Sequence, residues 1–92
     1  VSDFDPPDPK KDRLNFAQHR MSLHEAERFD FDTAEIEEDT RTRYGEQRFR
    51  GVGRLNNGPI VVFAFTYRGE KVRAISLRRA TPRERRKWLE KN

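Results

Sequence analysis

Six consecutive apolar residues, Ile60-Val61-Val62-Phe63-Ala64-Phe65, follow directly on Asn56-Asn57-Gly58-Pro59. Alternate residues of a strand point to opposite faces, so a run that is apolar at both parities needs cover on both sides and belongs at the centre of a sheet. The Asn-Asn-Gly before it favours the positive φ of a tight hairpin, which makes residues 47–55 an antiparallel neighbour. Gly51 and Gly53 in that neighbour mark a bulge or a close backbone approach. Arg68-Gly69-Glu70 turns the chain again, into a last strand over residues 71–78. A weakly alternating stretch, residues 31–37, supplies a fourth strand, and residues 38–45 form a polar connection.

Helix signals flank these strands. Asp8-Pro9 places an N-cap acceptor before a proline at the first helical position and predicts a helix over residues 9–20. Ser22-Leu23-His24-Glu25 reads as a capping box, with Met21 and Ala26 at staple positions and Leu23, Ala26 and Phe29 on one face. A second short helix to about residue 29 follows. Thr81-Pro82-Arg83-Glu84 opens a last helix reaching about residue 91. The expected class is α+β: two N-terminal helices backing a four-stranded antiparallel sheet, with the C-terminal helix at a sheet edge or on a partner. One domain spans residues 8–92, and residues 1–7, ending in Pro6-Pro7, form a loose or edge segment.

Composition narrows the function. A chain of 92 residues buries roughly 60–65% of its unfolded surface, and so has a modest core. With 33% hydrophobic and 39% charged residues, a partner or dimer interface would help it. The chain has no cysteine, which excludes disulfides and thiolate zinc sites and fits a reducing compartment. The apolar run is far short of the ~20 residues a membrane helix needs, and the acidic, Pro-rich start is unlike a signal peptide. The expectation is a cytoplasmic protein without membrane, metal or cofactor.

Charge is divided end to end. Residues 1–47 carry net −6 and residues 48–92 net +10. So much arginine, running through strand sequence into a helix, suits phosphates, because guanidinium offers a fixed fork of donors and never deprotonates. Glu46, Arg48 and Arg50 share one parity, and Arg73 shares one with Ile75 and Leu77, whereas Ser76 lies on the other. An arginine among aliphatics needs a carboxylate, for which Glu46 is the candidate across the sheet, or a phosphate brought to it. Arg78, Arg79, Arg83, Arg85, Arg86 and Lys87 continue the basic surface, beside Trp88 and Leu89. On the first helix Lys11, Asn15 and His19 recur every fourth residue, setting a cation, an amide and a titratable base in one column. The alternative is a solvated face opposite Leu14, Ala17 and Met21. No Gly-rich phosphate loop, nucleophile triad or second well-placed histidine is present.

Taken in order, Asp8-Pro9-x-Lys11-x3-Asn15-x3-His19, Ser22-x-x-Glu25-Ala26, Glu46-x-Arg48, Thr66-x-Arg68-Gly69 and Arg73-x-Ile75-Ser76-x-Arg78-x-Ala80-Thr81-x-x-Glu84-Arg85 resemble the BrnT family of toxins. The family usually carries Lys and Gly beside the matching histidine and an aromatic before the Asp-Pro; this chain has Gln18, Arg20 and Pro7 there. The resemblance implies a RelE-like fold, RNA cleavage that arrests growth, and a BrnA-type DNA-binding antitoxin. It further implies a hetero-oligomer with that antitoxin which represses its own operon, so that operator DNA is met only through the complex. On this reading the chemistry is metal-free attack of a ribose 2′-hydroxyl on the adjacent phosphate. His19 or Glu46 serves as base, and Lys11, Arg48 and Arg73 hold the phosphate. Asn15, Arg50, Arg78 and Arg79 are the further RNA contacts. The rivals are a non-catalytic RNA- or ribosome-binding module and an interaction subunit of a repressor complex.

Overall fold

The computed structural model describes residues 3–41, 43 and 45–92; residues 1 and 2 of the expected N-terminal segment, and 42 and 44 of the polar connection, lie outside them. The elements run α1 (Pro9–His19), a 3-10 helix (Leu23–Arg28), β1 (Glu35–Glu38), β2 (Phe49–Arg54), β3 (Ile60–Arg68), β4 (Lys71–Arg79) and α2 (Pro82–Lys91). The strands form one sheet in the order β1-β2-β3-β4, every neighbour antiparallel. The apolar run thus lies in an inner strand, as expected.

One sheet face carries the core. Phe63, Phe65, Val61, Leu77, Ala74 and Val72 pack there against Met21, Leu23, Ala26 and Phe29, and the rings of Phe29 and Phe63 sit 5.2 Å apart. Each fully buried side chain of this size contributes about 1.5–3 kcal/mol. Gly51 and Gly53 are the expected close approach: a Cβ on Gly53 would stand 2.8 Å from the Ala34 Cβ and 3.0 Å from the Phe29 ring. The bulge falls elsewhere, in β4, where Ala64 pairs with Ser76 but Phe65 with Ala74, leaving Ile75 as the extra residue.

Several elements depart from their sequence signals. The second N-terminal helix is 3-10, not α. Ser22 caps it as expected, its Oγ accepting from His24 N at 3.1 Å and donating to Asp12 at 3.0 Å, but Glu25 turns to Arg28 at 2.9 Å, so the reciprocal half of the expected capping box is replaced by an ion pair. The first strand begins at Glu35 rather than residue 31 because the Asp30 carboxylate captures Asp32 N at 3.0 Å and Thr33 Oγ1 at 2.8 Å, curling the chain before the sheet. Phe31 meanwhile packs against the core.

The outer side of β4 is covered twice. Phe4 forms a parallel bridge with Val72, with Asp5 N bonded to Val72 O at 2.9 Å and Val72 N to Asp3 O at 2.8 Å. The described part of the N-terminal segment therefore lies along a sheet edge. Further along, Asn15 donates to Leu77 O at 2.9 Å and accepts from Leu77 N at 3.1 Å, satisfying strand groups that would otherwise lack a partner. Its amide also donates to Met21 O at 2.8 Å. Helix α1 is thereby inverted relative to its sequence pattern: Asn15 is buried, while Leu14 and Phe16 are exposed.

Candidate active site on the second sheet face

The face opposite the core begins with β3, whose Val62, Ala64 and Thr66 point away from Phe63 and Phe65. On β2, Val52 stands beside Val62 and Arg50 beside Ala64. Arg48, two residues before Arg50, continues the same alternation. On β4, Arg78 stands beside Val62, Ser76 beside Ala64, and Arg73 beside Thr66. The bulge at Ile75 makes this possible. Arg73 shares a face with Ile75, but the extra residue moves Leu77 into the core and brings Ser76 to Arg73's side, which corrects both strand assignments made by simple alternation. The outcome is a floor of small residues, Ala64, Ser76 and Thr66, with guanidinium groups from two strands around it.

Helix α2 lies across this face instead of at an edge. Thr81 caps it in a full capping box, with Pro82 at the first position. Trp88 is buried, donates from Nε1 to Thr33 O at 3.1 Å, and has the Arg54 guanidinium 5.8 Å from its ring centroid. Lys91 reaches Glu35 at 3.0 Å. A groove of about 350 Å³ separates the helix from β1 and β2, lined by Glu37, Arg50, Val52, Lys87 and Trp88 among others.

Glu84 is the hinge of the electrostatics. Its carboxylate takes a two-pronged contact from Arg78, at 2.8 and 2.9 Å, and a third from Arg50 at 3.0 Å. It also accepts from Thr81 N at 2.8 Å. The Arg78 hydrogen bonds outweigh the desolvation that opposes them, and hold the carboxyl at about 2. The same contact raises the Arg78 pKa. Sequence reasoning found Glu84 as a cap; of its two arginines Arg78 stands six residues upstream at the end of β4, but Arg50 comes from β2, 34 residues away, and local spacing carries no trace of it.

The predicted site residues fall into three groups. Glu46, Arg48, Arg50, Arg73 and Arg78 come together at the second face, where Glu46 pairs with Arg48 at 3.1 Å rather than with Arg73. Among the described residues Arg73 forms no salt bridge. Lys11, Asn15 and His19 belong to α1, where Lys11 is exposed, His19 half-buried and Asn15 committed to backbone partners. Arg79 ends β4 beside Val61, and lines a separate hollow with Arg54 and Arg85. Among the described residues no three His, Cys, Asp or Glu side chains are grouped to hold a metal, and no helix is long and apolar enough to cross a membrane.

A small α+β domain that gathers arginines on a sheet face with small side chains beneath them presents a cationic surface that suits a polyanion. Residues 8–84 match the family model described as the ribonuclease toxin BrnT of type II toxin–antitoxin systems, so the chain belongs to the BrnT family. Membership brings an RNA substrate and an antitoxin partner. Comparison with curated proteins finds no match.

Proposed function

We propose that this toxin cleaves RNA at the second sheet face without a metal ion. The observation that carries the reading is the convergence of Arg48, Arg50, Arg73 and Arg78 on the Ala64, Ser76 and Thr66 floor. A phosphate seated there meets Arg73 first, because Arg73 forms no salt bridge among the described residues, whereas Arg48 pairs with Glu46 and Arg50 and Arg78 hold Glu84. The ribose 2′-oxygen attacks phosphorus and loses its proton to a base, the bond to the 5′-oxygen breaks, and that oxygen takes up a proton. The products are a 2′,3′-cyclic phosphate and a 5′-hydroxyl. Guanidinium charge neutralises the extra negative charge of the pentacoordinate state.

Glu46 is the base favoured by position, being held against Arg48. His19 is the second candidate, because its column on α1 is turned toward β4, where Asn15 meets Leu77. One experiment separates them. His19→Gln leaves the pH profile unchanged if Glu46 is the base; if His19 is, the profile flattens between about pH 5.5 and 7.5 and the rate falls roughly 10²-fold.

The protein works in the cytoplasm, and its antitoxin is a BrnA-type DNA-binding protein that joins it in an autorepressing complex. Labelled RNA incubated with purified protein in EDTA tests the chemistry: cleavage to cyclic-phosphate and 5′-hydroxyl ends is expected. Activity lost in EDTA and restored by Mg²⁺ would overturn it.

A further inference from the structure

Beyond the Arg48–Arg73 cluster, a second set of arginines frames a hollow of about 700 Å³ at the other end of the β2–β3 hairpin. Its lining includes Arg54, Arg79 and Arg85 together with Pro59, Ile60 and Ala80. Among the described residues none of these three arginines forms a salt bridge, whereas Arg28, Arg41, Arg48, Arg50 and Arg78 all do. Unneutralised guanidinium groups gathered at one place attract an anion.

The hairpin turn beside the hollow is held in place. Arg28 clamps the hairpin turn, with Nε and Nη2 on Asn56 O at 3.1 and 2.6 Å, and Asn56 N bonds back to Arg28 O at 2.7 Å. Asn57 holds φ at 58°. Arg54 is steadied against Trp88. Cations above a floor of Pro59, Ile60 and Ala80 suit a nucleotide, with its phosphate on the guanidinium groups and its base on the apolar surface.

We infer that this hollow binds a nucleotide of the RNA strand away from the scissile phosphate. The inference rests on the RNA-cleaving reading given above. Arg54 lies four residues along β2 from Arg50, about 13 Å at the ordinary strand rise, too far for one phosphate to span. A strand reaching both sites crosses the first turn of α2, where Arg83 is exposed.

The test is binding to fluorescent single-stranded RNA in EDTA, with the protein carrying Arg73→Ala to prevent cleavage. The probes are a twelve-nucleotide strand and a dinucleotide. Adding Arg79→Ala and Arg85→Ala is expected to weaken binding of the long strand about tenfold, and to flatten its salt slope by about 1.4, the value for two lost phosphate contacts on a single strand. Dinucleotide affinity is expected to hold. Unchanged long-strand affinity, or an equal loss for both probes, overturns the inference. So does retained RNA affinity accompanied by lost antitoxin affinity, which would assign the hollow to the protein partner. Because the readout is binding, the hollow stands or falls separately from the chemistry: RNA that binds wild type in this length-dependent way but is never cut would refute only the ribonuclease mechanism.

Discussion

The two faces of the sheet are held by different physics. On the core face, Phe29, Phe63, Phe65 and Leu77 are buried against one another and Asn15 fastens α1 to Leu77. On the second face, α2 is fastened by Trp88 and by ion pairs at Glu84 and Lys91. Apolar burial cannot be exchanged for anything a ligand brings. An ion pair can, because a phosphate offers an arginine the same contacts as a carboxylate. The first face specifies the fold, and the second, on the proposed reading, offers its arginines to RNA phosphate.

This contrast predicts a graded series of stabilities, each measurable by denaturant unfolding. Phe63→Ala strikes the core face where it is wholly buried, and is expected to cost about 3–5 kcal/mol; a loss below about 1 would show that the cluster is not the main support. Asn15→Ala leaves Leu77 N–H, Leu77 C=O and Met21 C=O without their partner, and should cost about 2–3 kcal/mol. Asn15 acting instead as a solvated surface residue would show almost no change.

On the second face, Glu84→Gln should cost about 1–2 kcal/mol at pH 7, after allowance for solvent screening. Its folded pKa of about 2 lies below the ordinary 4.5, so the stabilisation is present above about pH 4.5 and fades as pH falls toward 2. The gap between wild type and Glu84→Gln is therefore expected to close over that window. A gap that stays constant to pH 2 would mean that Glu84 acts through packing. Smallest of all, Lys11→Ala and His19→Gln should stay within about 0.5 kcal/mol.

Much of the architecture was legible because local signals agree with the global fold. The six-residue apolar run, the Asn-Asn-Gly turn and the Asp8 and Thr81 caps each did what their chemistry dictates. What escaped was non-local. The Ile75 bulge leaves the hydropathy pattern plausible in either register, so the face of Leu77 and Ser76 depends on pairing with β3. Asn15 reads as one more polar residue on a polar helix until β4 supplies two backbone groups for it. Glu84, three residues after Thr81, announces its cap but not the Arg50 that β2 brings to it. For the proposed site, parity set Arg48 and Arg50 on one side of β2, and the register brings Arg78, already read as a candidate RNA contact, and Ser76 to the side of β4 that carries Arg73.

The central claim is that the second sheet face cleaves RNA through its arginines. Its most direct test is the cleavage rate of Arg48→Ala, Arg73→Ala and the double variant on labelled RNA in EDTA, with circular dichroism and unfolding midpoints confirming an intact fold. Each single change is predicted to slow cleavage at least about 10²-fold, as loss of a transition-state donor does. Wild-type cleavage by both singles and by the double variant would contradict the account.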